Sequence, residues 1–521
     1  MTGPGESAPK RHSISISTSG IGPVFDPRVL DRTVIARPLL DELETKGDDA
    51  IFHVVIDLNL NFPGGRDRAR ERCRDLVSAA MAATGGRKDG LGVDDRKTEL
   101  SDLYVFARLT GAAVRALVRL DAHSVAKSNT NSYRVIFRVW PDFEIRALLT
   151  RSIVTVKADA ARTSFSAAGR NIVWAVLDSG VQGDHPHFVK HKTLELESPL
   201  RHRDFTCVPG QQESPLTDEF GHGTHVAGII AGELEVSDLA PPGGGIPPAI
   251  TAVGRHRDES GTVVHERMSI GGIRGVAPEC RVLSIKVLDA TGGGKVSNLI
   301  TALEEIARIN GYGKNIVVHG VNLSVGYDFD PEWFACGQSP LCEVVDRLVR
   351  SGVVVVVAAG NTGYGYTDTS ARGTVAAGLA LSINDPGNAE LAITVGSTHR
   401  DMPHVYGVSY FSSKGPTGDG RPKPDLVAPG EKILSCAAGA KLAETRTPGM
   451  PDALYVDDSG TSMAAPHVSG TIAAFLSIRR EFIGQSEEVK KIFMSSATDL
   501  RRERYFQGAG LVDLMRAIQS V

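Results

Sequence analysis

The segment DDSGTSMAAPHVSG contains a serine, Ser462, at the start of a run of small residues with helical character. A hydroxyl at the N-terminus of a helix lies beside free N–H groups and the positive end of the helix dipole, and both favour a negatively charged oxygen. Pro466 falls within the first helical turn, where its missing N–H costs nothing. Ser462 is therefore a candidate nucleophile, although Ser462 or Thr461 could also serve only as the helix cap.

An aspartate and a histidine occupy two further positions at which a side chain can do chemistry. Asp178 ends the apolar run NIVWAVLD, where a carboxylate needs hydrogen-bond donors to offset its desolvation, although Asp is also common in turns. His222 lies between two glycines in DEFGHGTHVAGII, so another part of the backbone can approach it closely. His225 follows three residues later and suggests a metal pair, but no Glu follows in the H-E-x-x-H pattern of zinc peptidases.

The most apolar run of the chain, VVVVVAAGN, ends in Asn361 directly after Gly360. The side-chain amide of Asn361 can donate a hydrogen bond to a charged oxygen, whereas an Asn after a Gly is also common in simple turns. Each of these residues has an ordinary structural explanation when it is considered singly. Their occurrence together indicates a catalytic site.

Beyond about residue 170, apolar runs without a polar face alternate with helical patterns. The runs are VWAVLD, RVLSIKVLD, NIVVHGVNLSVG, VVVVVAAGN and AITVGS, and the helical stretches include VSNLITALEEIARI and CEVVDRLVRSG. Strands of this kind are buried on both sides, so the pattern predicts an α/β fold with a parallel sheet between two helical layers. Sites in such sheets form at the carboxyl ends of the strands, where Asp178 and Asn361 fall.

The first third of the chain predicts a tail and a smaller domain. Residues 1–49 are assigned to a mobile tail and lead-in, because the first 28 or so are rich in Ser, Gly and Pro. Residues 50–165 contain strand and helix patterns, among them IFHVVIDLNL and RDRARERCRDLVSAAMAA, that predict an α/β domain. The polar stretch ARTSFSAAGR is interpreted as a linker, which puts the boundary near 160–170 and the main domain at 166–521.

Composition excludes several classes of partner. The formal charge of -4 and the pI near 6.4 give no basic field for nucleic acid. No run approaches the roughly 20 apolar residues that span a bilayer, so a soluble protein without membrane contact is expected. No apolar segment follows Lys10 and Arg11, which favours the cytoplasm over secretion. Six cysteines are too sparse for a disulfide scaffold, although Cys336 and Cys342 could form a bridge in an oxidising compartment.

Several motifs together resemble the subtilases, the subtilisin family of serine peptidases. DSG at 178, HGTHVAG at 222, AAGN at 358 and GTSMAAPH at 460 match the family signatures in the order Asp, His, Ser. The similarity covers about residues 170 to 521 and includes FSSKGP, KPDLVAPG and QGAGLVDLMRAI. The resemblance implies a subtilisin-like three-layer fold and a serine endopeptidase that hydrolyses peptide bonds in proteins.

The resemblance also implies a role for each residue of the site. His222 would take the proton of Ser462, and Asp178 would orient the imidazole and stabilise its charged form. Asn361 and the Ser462 backbone N–H would form the oxyanion hole, while His225 would be structural. A protein or peptide substrate would lie as an added strand between two walls. These walls are Ser324, Val325 and Gly326 on one side and Ala358, Ala359 and Gly360 on the other.

Two departures from the family pattern concern calcium and the N-terminal domain. Many subtilases bind calcium through an acidic residue after the catalytic Asp, where this chain has His187, and through a loop that is replaced here by a Gly/Pro-rich insertion between Leu239 and Gly272. Calcium is therefore not expected at that site, although a calcium site elsewhere in the chain stays open, no cofactor is expected to be required, and no metal ligand is assigned. Residues 50–158 occupy the place of a prosegment and are interpreted as an inhibitor of the enzyme or, alternatively, as a fixed accessory domain.

Two other functions are weighed against an active endopeptidase. A catalytically idle subtilase fold that only binds other molecules predicts the loss of a triad residue, and none is lost. A sedolisin-like acid peptidase predicts Glu in place of His222, and HGTHVAG argues against it.

Overall fold

The computed structural model describes residues 34–59, 61–85, 90–99, 101, 103–126, 134–142, 151–207, 211–240, 248–257, 263–328, 336–369 and 373–521. The chain divides into two compact units, Met1–Ile145 and Arg146–Val521. The predicted mobile tail at 1–28 lies outside the described residues. Residues 34–49 of the predicted lead-in are described, and Arg37–Lys46 within them form a helix.

The N-terminal unit is an antiparallel sheet with helices packed against it. Its described elements are α1 (Arg37–Lys46), β1 (Ile51–Leu58), α2 (Gly65–Ala83), β2 (Gly92–Val93), α3 (Asp95–Glu99), β3 (Tyr104–Thr110), α4 (Gly111–Ala126) and β4 (Ile136–Pro141). The sheet has the order β2-β3-β1-β4. Alternate residues of β1, such as Val54 and Ile56, are fully buried and share one core with Leu76 of α2 and Leu117 of α4. This unit is the small α/β domain predicted by the sequence.

The C-terminal unit contains a parallel sheet and most of the helices. Its described α-helices are α5 (Arg151–Thr155), α6 (Ala158–Phe165), α7 (His222–Ile230), α8 (Val296–Ile309), α9 (Pro340–Arg350), α10 (Pro403–Tyr406), α11 (Gly439–Ala443), α12 (Thr461–Ile478), α13 (Ser486–Ser495), α14 (Arg504–Gln507) and α15 (Leu514–Gln519). Short 3-10 helices cover Pro186–Phe188, Val236–Leu239, Gly311–Gly313 and Arg480–Phe482.

The strands of this unit among the described residues follow in chain order. They are β5 (Val173–Asp178), β6 (Arg203–Asp204), β7 (Glu233–Glu235), β8 (Ile250–Arg257), β9 (Val263–Ile270), β10 (Gly272–Arg274), β11 (Arg281–Lys286), β12 (Gly320–Leu323), β13 (Val354–Ala358), β14 (Tyr364–Thr369), β15 (Gly373–Gly378), β16 (Ile393–Thr398), β17 (Leu426–Pro429), β18 (Ile433–Cys436) and β19 (Tyr455–Asp458). Within the described part of the chain, the main sheet has seven strands in the order β17-β16-β13-β12-β5-β11-β6, all parallel.

The two faces of the main sheet are both covered, as the apolar runs predict. In β5, Trp174 and Val176 face one core, which is shared with α7 and α12, whereas Ala175 and Leu177 face a second core, which is shared with α8 and α9. All four side chains are at most 1% exposed. Successive residues of a strand point to opposite faces, so a strand without polar residues must lie between two helical layers. The predicted α/β three-layer fold is confirmed.

The boundary between the units differs from the predicted position. Residues 151–165 belong to the C-terminal unit, because α5 and α6 bring Val156 and Ala161 into the same core as Phe475 of α12. The Val156 carbonyl also accepts a hydrogen bond of 3.1 Å from the Leu514 N–H. The small side chains of Ala161 and Ala167 in ARTSFSAAGR allow close packing in this core. Composition alone could not distinguish a closely packed segment of small residues from a linker.

The insertion between residues 239 and 272 adds strands to a second sheet. In the described residues, β8 and β9 pair antiparallel, and β8 runs parallel to β19 in a sheet of order β18-β19-β8-β9. Because β19 ends at Asp458, the inserted hairpin lies beside the strand that leads to Ser462.

The structure bears on two features considered from composition, disulfide bonds and membrane-spanning helices. All six cysteines are free thiols, including the pair Cys336 and Cys342. No helix in the described ranges is long and apolar enough to cross a membrane.

Among the residues that the structure describes, five histidines of the C-terminal unit are buried, and they are expected to make this unit sensitive to acid. Burial lowers the pKa values to about 4 for His185, His319 and His467 and to about 3 for His187 and His225. The unfolded chain binds protons on these groups below its ordinary pKa of about 6.5, whereas the native form does not, so stability falls as the pH drops below that value. Each group costs roughly 1.4 kcal/mol per pH unit.

We expect the unit to unfold between about pH 5.5 and 4, because the combined cost then reaches the usual free energy of unfolding of about 5–15 kcal/mol. Tryptophan fluorescence and circular dichroism during acid titration measure this transition. His319→Asn, which keeps an acceptor for the Val173 N–H, should move the midpoint to lower pH. A native spectrum retained at pH 3 would contradict the expectation.

Candidate active site

The end of β5 and the start of α7 bring Asp178 and His222 together. His222 Nδ1 lies 2.8 Å from Asp178 Oδ1 and 3.0 Å from Oδ2, and the Asp178 side chain is only 1% exposed. The Ser179 N–H also donates to Asp178 Oδ1 at 2.8 Å. Burial lowers the pKa of His222, but the Asp178 carboxylate raises it by more, so the pKa lies above its ordinary value.

Glycine at position 223 permits this contact between strand and helix. A Cβ at Gly223 would lie 2.2 Å from the Gly180 carbonyl oxygen and 3.0 Å from the Asp178 Cβ. Any larger residue would push α7 away from the end of β5 and separate the imidazole from the carboxylate. Steric crowding therefore explains why a glycine follows His222 in the sequence.

Ser462 lies in the first turn of α12 and lines the same cavity as His222. Its hydroxyl donates to the Ser324 carbonyl at 3.0 Å, and the Ser324 hydroxyl donates to the Ser462 carbonyl at 2.9 Å. These two bonds connect the start of α12 to the segment after β12. A hydroxyl has one proton, so the Ser462 hydroxyl must turn from the Ser324 carbonyl to donate to His222.

The side chain of Asn361 is oriented by the residue before Ser462. Its Oδ1 accepts hydrogen bonds from the Thr461 N–H at 2.9 Å and from the Thr461 hydroxyl at 3.1 Å. A backbone N–H can only donate, so these bonds identify the oxygen and leave the amide Nδ2 as a donor. A Cβ at Gly460 would lie 3.3 Å from this Nδ2, so glycine keeps the amide group accessible.

A cavity of about 550 Å³ joins these side chains. Its lining includes His222, Asn361 and Ser462 together with Ser324, Val325, Gly326, Ala358 and Gly360. Ala359, which was assigned to the substrate wall, does not line the cavity, because its side chain is fully buried and its N–H pairs with the Val395 carbonyl. Residues alternate in direction along an extended strand, so Ala358 and Gly360 share one side and Ala359 faces the other.

Sequence reasoning missed other residues of the cavity. Phe220, Val287, Leu288, Val296 and Leu299 form an apolar part of the lining. Asn384 also lines it, where its Nδ2 donates to Asp328 at 3.1 Å and its Oδ1 accepts from Thr362 at 3.1 Å. Asn384 is 23 residues beyond Asn361 in the chain, and no local motif indicates that position.

Two charged residues lie close enough to His222 to affect its pKa. Lys441 of α11 forms an ion pair with Asp458 at the end of β19. Lys441 lowers the pKa of His222, whereas Asp458 raises it. Arg255 of the inserted strand β8 also binds Asp458, at 2.9 Å. The insertion therefore contributes to the electrostatics around the imidazole.

The position where relatives of the family bind calcium has a different character here. His187 is 1% exposed, its Nδ1 lies 3.0 Å from the Tyr455 hydroxyl, and burial lowers its pKa to about 3. Calcium prefers oxygen ligands, so a neutral imidazole in this apolar setting does not fit it. Over the ranges that the structure describes, no group of three or more His, Cys, Asp or Glu side chains could hold a metal ion.

His225, the second histidine of HGTHVAG, lies in the core rather than in the cavity. It is fully buried, and its Nε2 lies 3.0 Å from the Val456 carbonyl. This contact connects α7 to β19.

Comparison with known proteins identifies the family. The family model described as the subtilase family matches residues 169–511. Serine protease AprX of Bacillus subtilis (strain 168) is 28% identical over 406 residues, which are 76% of each chain. The major intracellular serine protease of the same organism is 31% identical over 327 residues, 62% of this chain and 74% of that protein.

Two further comparisons concern a third relative and a solved structure. Subtilisin E of Bacillus subtilis (strain 168) is 28% identical over 351 residues, 67% of this chain and 66% of that protein. The structure of the prenylagaramide maturation protease PagA aligns with a TM-score of 0.43 and 22% identity over 69% of this chain and 96% of that chain. The family match spans well over half of the chain. The chain therefore belongs to the subtilase family and is a serine-type peptidase.

Proposed function

We propose that this peptidase is an endopeptidase that cleaves protein chains through an acyl-enzyme on Ser462. The observation that carries the proposal is the pairing of His222 Nδ1 with the buried Asp178 carboxylate at the edge of a cavity that also contains Ser462 and Asn361. The residue types and the environment suit general-base activation of a hydroxyl.

In the proposed reaction, His222 Nε2 accepts the proton of Ser462 while the serine oxygen attacks the carbonyl carbon of the substrate. The imidazolium that forms is stabilised by Asp178 and then protonates the leaving amine. Water, deprotonated by the same imidazole, hydrolyses the ester and frees Ser462. The negative oxygen of each tetrahedral intermediate would accept hydrogen bonds from Asn361 Nδ2 and the Ser462 N–H.

The substrate in this proposal is an extended peptide. It would lie between the segment Ser324–Gly326 and the residues Ala358 and Gly360, which all line the cavity. Main-chain hydrogen bonds would supply most of the affinity and the cavity would receive side chains. A protein substrate therefore needs an unfolded or flexible segment at the cleavage position.

A fluorophosphonate probe tests the proposal directly. It should label the full-length protein on Ser462, as mapped by mass spectrometry, and labelling should be lost in His222→Ala, because the unassisted hydroxyl is a weak nucleophile. The alternative, an idle fold that only binds other proteins, predicts no labelling of the folded protein. Labelling at another serine would also reject the assignment.

The rate should rise with pH as His222 loses its proton, since only the neutral imidazole can accept the Ser462 proton. Because Asp178 raises the pKa of His222, the midpoint of kcat/KM should lie above the ordinary value of about 6.5. Lys441→Gln should move this midpoint to still higher pH, because Lys441 lowers the same pKa. Initial rates on a peptide amide measure the profile, and an optimum below about pH 4 would indicate acid-peptidase chemistry instead.

The N-terminal unit is proposed to act as an intramolecular inhibitor and folding aid of the peptidase. Parallel sheets contain many nonlocal contacts and fold slowly, so a preformed α/β unit could speed their assembly. Residues 151–165 belong to the peptidase core, so a test must divide the chain at Ile145 and not at residue 170. Division at 170 would remove Val156 and Ala161 and destabilise the core for an unrelated reason.

Fragment 146–521 should fold poorly alone and recover when fragment 1–145 is added in trans. The same added fragment should inhibit the folded enzyme. Recovery of soluble, active peptidase during refolding measures the first effect, and rates on a peptide amide measure the second. If fragment 146–521 folds unaided to full activity and is not inhibited, the N-terminal unit is an accessory domain.

A further inference from the structure

A second buried carboxylate, Asp218, lies four residues before His222 and is 1% exposed. Its two oxygens accept four hydrogen bonds. Oδ1 accepts from the Gly221 N–H at 2.7 Å and from the Ser179 hydroxyl at 2.8 Å, and Oδ2 accepts from the Thr224 N–H at 2.8 Å and the Thr224 hydroxyl at 2.6 Å. Two of the donors are backbone groups at the start of α7, which Asp218 therefore caps.

The hydroxyl of Ser179 extends this network to the other partner of His222. Ser179 follows Asp178, to which its backbone N–H donates. Its oxygen accepts a hydrogen bond from the Gly223 N–H at 3.0 Å and lies 3.3 Å from Asp178 Oδ1. A hydroxyl has one proton, and its shorter contact is with Asp218. Ser179 thus joins the end of β5, the start of α7 and the Asp218 carboxylate.

The set of donors around Asp218 suits its ionised form. Burial raises the pKa of this carboxyl group above its ordinary value, and the Thr224, Gly221 and Ser179 donors offset only part of that rise. All four partners donate, and a protonated carboxyl would have to turn its own O–H toward one of them. An ionised carboxylate can accept all four of these hydrogen bonds without donating one, so the geometry favours the ionised form of Asp218.

We infer that Asp218 is a positioning residue for the proposed reaction, because it fixes the start of α7 against the end of β5 and so holds His222 in register with Asp178. A residue that only caps the helix would bind donors of α7 alone. Asp218 also binds Ser179 at the end of β5, so it connects the two elements. The inference rests on the proposed function. The motifs DSG, HGTHVAG, AAGN and GTSMAAPH do not include Asp218, and the local signal is only an Asp three residues before Gly221.

Asp218→Asn should lower kcat by about 10- to 100-fold with little change in KM. The amide replaces one acceptor oxygen by an NH2 group that meets donors, so β5 and α7 shift, and misplacement by about 1 Å can cost 10²-fold in rate. KM should change little because Ser324 and Gly360 of the substrate walls lie on other strand ends. The acid limb of the pH profile should also move to lower pH as the Asp178 contact loosens, since Lys441, Asp458 and His225 around the imidazole are unchanged.

The chain offers a closely matched control in Asp204. This carboxylate is 5% exposed and also accepts from two backbone N–H groups and two hydroxyls, those of Thr206 and Ser214. Asp204→Asn therefore removes the same charge from a similar set of donors outside the cavity. It should lower the melting temperature to a similar extent while kcat and the pH profile remain those of the parent.

Ser179→Ala provides a second test that keeps the carboxylate and its contacts to α7. It should lower kcat in the same way, and the double variant with Asp218→Asn should lose little more than either single variant, because both act through one connection. If Asp218→Asn fails to fold, Ser179→Ala alone decides. An Asp218→Asn enzyme whose kcat matches Asp204→Asn, or a Ser179→Ala enzyme of parental kcat, overturns the inference. Absence of activity in the parent would instead reject the proposed function.

Discussion

Ser462→Ala is expected to lower kcat on an unfolded protein substrate by about 10⁶-fold while the fold persists, the size known for the corresponding change in subtilisin. The side chain is half-buried at a helix start, and its hydroxyl makes one bond, to the Ser324 carbonyl. Its loss therefore removes the nucleophile at little structural cost. His222→Ala should have a similar effect, and Asp178→Ala a smaller one of about 10⁴-fold. Casein hydrolysis and circular dichroism measure rate and fold.

Ser477→Ala is the matched control for this prediction. Ser477 lies in the last turn of the same helix, and its hydroxyl donates to the Ala474 carbonyl at 2.6 Å. Its position is 15 residues from Ser462, about 22 Å along the helix axis. This variant should retain full activity. Casein hydrolysis at the parental rate by a folded Ser462→Ala protein would refute the assignment of the nucleophile.

Asn361→Ala is expected to lower kcat by about 10²- to 10³-fold with little change in KM, the magnitude known for the oxyanion-hole Asn of subtilisin. The amide would donate to an oxygen that is fully charged only in the transition state, so the loss falls on kcat and not on binding. Michaelis kinetics on a peptide amide separate the two constants. An unchanged kcat would mean that Asn361 is only a turn residue.

A control is needed because Asn361 also accepts hydrogen bonds from Thr461, next to Ser462. Thr461→Val removes the hydroxyl contacts to Asn361 and to the Gly360 N–H, and it keeps both the Thr461 N–H bond and the Asn361 amide. We expect this variant to lose far less than Asn361→Ala. Equal losses would indicate that Asn361 acts by holding the start of α12.

The sequence predicted the sheet because its strands have no polar face. VWAVLD and VVVVVAAGN can be buried only between two layers, and both occupy the centre of the parallel sheet. The residues at the ends of those strands, Asp178 and Asn361, then follow from topology, because parallel strands place their carboxyl ends at one edge. The fold and the positions of Asp178 and Asn361 were therefore predictable by the same argument, whereas the roles of His222 and Ser462 came from the family resemblance.

Other features depend on contacts that no local pattern reveals. The first five residues of ARTSFSAAGR end helix α6, and Ala161 and Ala167 pack in a core that also contains residues more than 300 positions away, such as Phe475. Ala359 was grouped with its neighbours by motif, but strand alternation turns its side chain away from the cavity. Asp218 acts through Ser179, and only the three-dimensional structure brings these two residues together.

The buried histidines have a consequence for the kinetics of inactivation. A peptidase that cleaves unfolded chains finds its own unfolded copies among its substrates. Near the acid midpoint both forms coexist, and irreversible loss by cleavage requires an encounter between two molecules, at a rate that the protonation of His222 reduces but does not abolish. We therefore expect the half-life at that pH to shorten as the enzyme is concentrated, whereas unimolecular unfolding alone gives a half-life independent of concentration.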